Sequence, residues 1–90
     1  MKRCIKILID GTSVPQGFLT FVHDHAKNLR IEGTAQIVEK QLIIIACGKT
    51  ENIESFLDSL HAGYKGWFPD VIEEPFVLNK DYRGIFRVIE

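Results

Sequence analysis

Ninety residues with 46% hydrophobic content read as a single domain, residues 1–90, near the lower size limit for burying a core unaided. Eleven basic residues against twelve acidic ones leave a net charge of −1, so no overall field would hold the chain on nucleic acid or an anionic membrane, and both partners are disfavoured. The longest apolar run, Leu42 to Cys47, is far too short to span a bilayer, and no hydrophobic leader follows Lys2 and Arg3, so a cytoplasmic setting is expected.

Cys4 to Ile9 is a β-branched run broken only by Lys6 and closed by Asp10-Gly11, which predicts a strand followed by a turn. Its alternation puts Ile5, Ile7 and Ile9 on one face and Cys4, Lys6 and Leu8 on the other. Gly11, Thr12, Ser13, Pro15 and Gly17 then lead into a helix over about Phe18 to Arg30, whose apolar stripe is Phe18, Phe21, Val22, His25, Ala26 and Leu29. A loop of this kind can aim backbone N–H groups at an anion; it is equally the way any strand joins any helix. On the stripe, His25 is expected to be partly buried and hydrogen-bonded. With His23 two residues away it makes no metal pair, because the two side chains leave the helix in different directions.

Thr34 to Val38 and Gln41 to Cys47 read as two strands separated by Glu39-Lys40, a hairpin spacing although neither residue favours positive φ. Cys4 and Cys47 lie inside apolar strands, where a cysteine is expected as a small buried hydrophobe rather than a redox or metal group. Thr50 is the expected N-cap of a second helix, with Ile53, Phe56, Leu57 and Leu60 as its stripe and Gly63 at its end. Tyr64 to Asp70 is an irregular link containing Gly66 and Pro69. Val71 to Val77 reads as a strand in which Pro75 favours an edge position, Asn79 to Arg83 as a turn, and Gly84 to Ile89 as the last strand. The order predicts an α+β, ferredoxin-like βαββαβ sandwich with a short final strand, its antiparallel sheet carrying two helices on one face. The other face is left open, and either Leu42, Ile44 and Ala46 or Ile43, Ile45 and Cys47 would point into it. Both sets are apolar, so this face is a candidate contact surface for a second copy or a protein partner.

Residues Gly11 to Phe21 resemble the loop of the acylphosphatase family, Gly-Arg-Val-Gln-Gly-Val-Gly-Phe-Arg-Tyr-Phe, with ungapped matches at Gly11, Gly17, Phe18 and Phe21. The likeness continues through Ala26, Leu29, Ile31 and Gly33, through Gly48, Ile53, Phe56, Leu57 and Leu60, and through Val71, Glu73, Glu74, Pro75 and the run Tyr82-Arg83-Gly84-Ile85-Phe86. It covers nearly the whole chain and implies an acylphosphatase-type fold. It also implies that Ser13, Val14, Pro15, Gln16, Gly17, Phe18 and Leu19 occupy the place of a phosphate cradle, with a small anion as ligand and neither metal nor cofactor.

Members of that family hydrolyse acyl phosphates with an arginine at the helix start, which grips the phosphate, and an asparagine at the end of the second strand, which positions water. Those positions hold Leu19 and Ile37. Leucine neither donates a hydrogen bond nor neutralises phosphate, and isoleucine cannot orient water. Pro15 replaces a loop glycine and brings no N–H. Loss of one such donor costs about 10²–10³-fold in rate, and misalignment of the nucleophile on the order of 10²-fold more. No catalytic residue is therefore assigned. Two readings follow from the resemblance: a catalytically degenerate binding or interaction module, or an active hydrolase with a rearranged site. Arg30 and Lys27 lie too far along the helix to replace the arginine, at about 1.5 Å per residue, whereas Lys80, Arg83 and Arg87 have no position that the sequence fixes.

Overall fold

The computed structural model describes residues 2–76 and 84–89. Five strands and two helices follow in the order β1 (Lys2–Asp10), α1 (Phe18–Asn28), β2 (Glu32–Val38), β3 (Gln41–Lys49), α2 (Thr50–His61), β4 (Ile72–Pro75) and β5 (Phe86–Ile89), with a 3₁₀ turn at Gly11–Ser13. The sheet order is β4-β1-β3-β2-β5. All pairs are antiparallel except the edge pair β2 and β5, which run parallel, so the ferredoxin-like sheet gains one mixed edge. Pro75 closes edge strand β4, where a residue without an N–H breaks no inner ladder. The predicted turn at Asn79 to Arg83, and Val77, lie outside the described residues.

Alternation along β1 buries Ile5, Ile7 and Ile9 as its spacing predicts, and the register carries this face across the sheet. Ile7 pairs with Ile44 and Ile9 with Leu42, so Leu42, Ile44 and Ala46 face the helices and Ile43, Ile45 and Cys47 face the other way. Phe18, Val22 and Ala26 of α1 and Ile53, Phe56, Leu57 and Leu60 of α2 close this core from above. At about 25 cal/mol per Å² of apolar area, each fully buried side chain of this kind contributes on the order of 1.5–3 kcal/mol before chain entropy is subtracted.

Three local expectations are corrected. Cys4 and Cys47 are not separate thiols: they stand directly opposite each other on β1 and β3, with Cα atoms 4.1 Å apart, and form a disulfide. Opposed residues at the closely spaced positions of an antiparallel ladder come within about 4.5 Å, which allows a bond between their side chains. Thr50 is the first helical residue of α2, and Lys49 takes the cap position without a side-chain cap bond. His25 is partly buried as expected, but its contact among the described residues is the ring of Phe21, 4.4 Å between centroids, rather than a hydrogen bond.

The hairpin between β2 and β3 forms at the predicted place with Glu39 and Lys40 at φ 51° and 66°. Two positive φ values are what a two-residue turn needs to match the twist of its strands, so the pairing of β2 with β3 imposes a conformation that neither residue prefers. The link after α2 contains a second such turn. Tyr64 and Trp67 exchange backbone hydrogen bonds of 2.8 and 2.9 Å around Lys65 and Gly66, both at positive φ.

Candidate functional site

The loop from Gly11 to Gly17 leaves the end of β1 and reaches α1 at the same end of the sheet as the Glu39-Lys40 turn. Gly11 N–H donates to the Lys40 carbonyl at 2.9 Å and ties the loop to that turn. Asp10, just before it, accepts from both the backbone N–H and the hydroxyl of Thr12, at 2.9 and 2.8 Å. The backbone N–H of Thr12 first, and then its hydroxyl, hold the Asp10 carboxyl below the usual carboxylate range. A negative charge therefore stands at the entrance to the loop. The spacing Asp-x-Thr is a turn pattern that the sequence already contains, and it is the signal by which Asp10 could have been found.

Three backbone donors of this stretch are thus accounted for: Gly11 by Lys40, Thr12 by Asp10, and Phe18 by the Pro15 carbonyl at 3.1 Å. Pro15 has none. Gly17 caps α1 in the left-handed region at φ 91°, with no side-chain cap bond. A Cβ at Gly17 would come 2.5 Å from the Tyr64 hydroxyl, so the turn after α2 closes down on the cap. Tyr64 in turn packs on Phe18 and Phe21 with ring centroids 5.9 and 5.0 Å apart, and Trp67 meets Phe18 edge-on at 4.9 Å. The aromatic cluster fixes the helix start but supplies no positive charge.

Leu19 is partly buried and packs against the core. With Thr20, His23 and Val88 it lines a shallow cleft of about 330 Å³. Val88 of β5 lies opposite Ala35 of β2, and Ile37 stands two residues further along the same face of that strand, 44% exposed. The structure therefore places Leu19 at the start of α1 over the β5 side of the sheet and Ile37 near the end of β2. The surface they contribute is apolar. Ser13 and Gln16 are exposed, Val14 and Pro15 partly buried, and Phe18 fully buried.

No cationic side chain makes a hydrogen bond or ion pair with residues 13–19 among the described residues. Arg87 stands opposite Thr34, on the face away from the helices, and Arg30 lies past the far end of α1, where it lines a different cleft with His23 and Lys27. Lys65, on the turn that covers Gly17, sits 5.4 Å over the Tyr64 ring. Lys80 and Arg83 are outside the described residues. Among those described, no group of three or more His, Cys, Asp or Glu side chains could hold a metal ion.

One buried ionisable residue was not singled out by the sequence. Glu32, 9% exposed at the start of β2, accepts from the Gly84 N–H at 2.7 Å and pairs with Lys2. These partners are 52 and 30 residues away in the chain, so no local pattern could have signalled them. They fasten the beginning of β1 and the approach to β5 to one carboxylate.

No protein-family model and no curated protein matches the sequence. Solved structures do match its fold. An acylphosphatase from Coxiella burnetii superposes with a TM-score of 0.81 at 24% identity, over 98% of this chain and 93% of that one. The acylphosphatase from Bacillus subtilis gives 0.74 at 20% identity over the full length of both. Full-length HypF in a phosphate- and nucleotide-bound form gives 0.84 at 19% identity, with this chain spanning 12% of it. The strand order, the helix layer on one face and the glycine-capped loop before α1 together make this an acylphosphatase-like α+β domain.

Proposed function

We propose that this domain does not hydrolyse acyl phosphates and serves as a binding or interaction module built on an acylphosphatase-like fold. The observation that carries the reading is the seating of Leu19: at the helix start, where the resemblance calls for a guanidinium, an apolar side chain packs against the core beside Val88. Ile37 and Pro15 act in the same direction. Transfer of a phosphoryl group needs positive charge and aligned donors around the equatorial oxygens, and this loop offers little of either.

The test is turnover of a generic acyl phosphate at neutral pH against the uncatalysed rate. No acceleration is expected, and a rate comparable to that of an acylphosphatase would overturn the proposal. Inorganic phosphate, titrated by NMR, is expected to bind residues 13–19 no more tightly than about 1 mM, equivalent to roughly 4 kcal/mol. Leu19→Arg with Ile37→Asn should raise hydrolysis above background, with Pro15→Gly adding more and each single change doing much less, because groups acting on one transition state are not additive.

The competing reading, an acyl-phosphate hydrolase with a rearranged site, is favoured by the likeness to two acylphosphatases along nearly their full length. The same turnover assay decides between them. The Cys4–Cys47 disulfide counts against the cytoplasmic setting expected from the sequence, since reducing compartments keep such pairs as thiols. Alkylation before cell lysis should trap two free thiols if the setting is cytoplasmic, and none if it is oxidising.

A further inference from the structure

The face of the sheet turned away from the helices carries an ordered pattern. Following the register across the strands, one row reads Arg87, Thr34, Ile45, Lys6, Glu74 from β5 to β4, and the next reads Ile89, Gln36, Ile43, Leu8, Ile72. The first row has a cation on one edge and a carboxylate on the other. Glu74 makes no ion pair among the described residues, not even with Lys6 beside it, whereas its neighbour Glu73 points to the helix side and approaches His61 at 4.0 Å. The second row is apolar except for Gln36, and its two ends are exposed isoleucines, Ile72 at 57% and Ile89 at 40%.

We propose that a second copy of this chain packs on this face, sheet against sheet, about a twofold axis that runs along β3. Such an axis reverses the strand order from one copy to the other while keeping the rows in step. Glu74 then meets Arg87 of the partner subunit, and Arg87 meets the partner's Glu74. Ile72 meets the partner's Ile89, Leu8 covers the stem of the partner's Gln36, and Ile43 packs on the partner's Ile43. The pattern is self-complementary, which is the requirement for an isologous interface. The other twofold in the plane of the sheet, running across the strands, would set β4 on β4 and β5 on β5, so that Glu74 has no Arg87 of the partner subunit to meet. Two sheets stacked in this way sit about 10 Å apart, close enough for the side chains of the two faces to interdigitate. The inference supplies a partner for the interaction-module reading and rests on it.

Sedimentation equilibrium up to about 1 mM protein measures the association directly. The wild type is expected to show a reversible monomer–dimer equilibrium. Glu74→Arg and Arg87→Glu should each weaken it at least about tenfold, and the double exchange should restore it to within about threefold, because the pair is re-formed with its signs reversed. Leu8→Lys should abolish it. All four variants change side chains on the face away from the core, and a cooperative melt confirms folding. A wild type that stays monomeric throughout overturns the proposal, as does a dimer indifferent to both charge reversals or a double exchange that fails to rescue. Acyl-phosphate turnover measured on the same samples keeps the two proposals apart: a monomer without hydrolysis sinks the dimer alone, and hydrolysis at an enzyme's rate sinks the reading of the loop.

Discussion

Single residues decide the chemistry of the loop and part of the stability. Leu19 and Ile37 put apolar side chains where the family resemblance calls for a charge and a polar group, and no cationic side chain among the described residues bonds to residues 13–19. Gly33 has the opposite character, since its φ of 144° and the approach of the Ile45 carbonyl, 1.8 Å from where a Cβ would sit, leave no room for any side chain. Gly33→Ala should therefore cost more than the roughly 0.5–3 kcal/mol typical of single substitutions, as read by urea denaturation. Asp10 contributes through pH. Its folded pKa lies below its unfolded one, so its stabilisation is present above the unfolded carboxylate value and is lost as pH falls through the lower folded value. Asp10→Ala should flatten the acid limb of the stability profile, below the ordinary carboxylate pKa, and leave the slope in the neutral region unchanged.

At the scale of elements, the turns show how pairing overrides local preference. Glu39 and Lys40 hold positive φ because β2 and β3 are in register on both sides of them, although the sequence offers neither asparagine nor glycine. Glu39→Asn with Lys40→Gly should relieve this at both positions and stabilise the domain by about 1 kcal/mol, measured as a higher denaturation midpoint at unchanged slope. The bond from Gly11 N–H to the Lys40 carbonyl uses only backbone and should survive. The helices behave differently. The apolar stripe of α1 was legible from its spacing, because a period of 3.6 residues maps one face to one core, and its observed bounds differ from those expected only by the last two residues.

For the whole molecule, the disulfide is the strongest long-range constraint. It closes a sequence separation of 43 residues, for which the chain-entropy relation gives about 4 kcal/mol. Cys4→Ala with Cys47→Ala should cost about 2–4 kcal/mol and lower Tm by about 8 °C or more for a domain of this size. Reduction of the wild type should produce a similar drop, which separates loss of the cross-link from loss of packing at Cys47. Lys2 and Gly84, gathered by Glu32, act in the same sense by fastening the chain's start to the approach of its last strand.

What the sequence determined by itself was what local periodicity and a position-by-position likeness can encode: the order of elements, the stripe of α1, the inward face of β1, and the absence of arginine and asparagine at the positions held by Leu19 and Ile37. Tertiary structure decided everything that depends on register. Both alternate sets of β3 are apolar, so only its pairing with β1 could send Leu42, Ile44 and Ala46 to the helices and Ile43, Ile45 and Cys47 to the other face of the sheet. That same register set Cys4 against Cys47 and aligned Glu74 and Arg87 on opposite edges of one row. The physical reason is that a strand's side chains repeat every two residues, and a slip of one residue exchanges its faces.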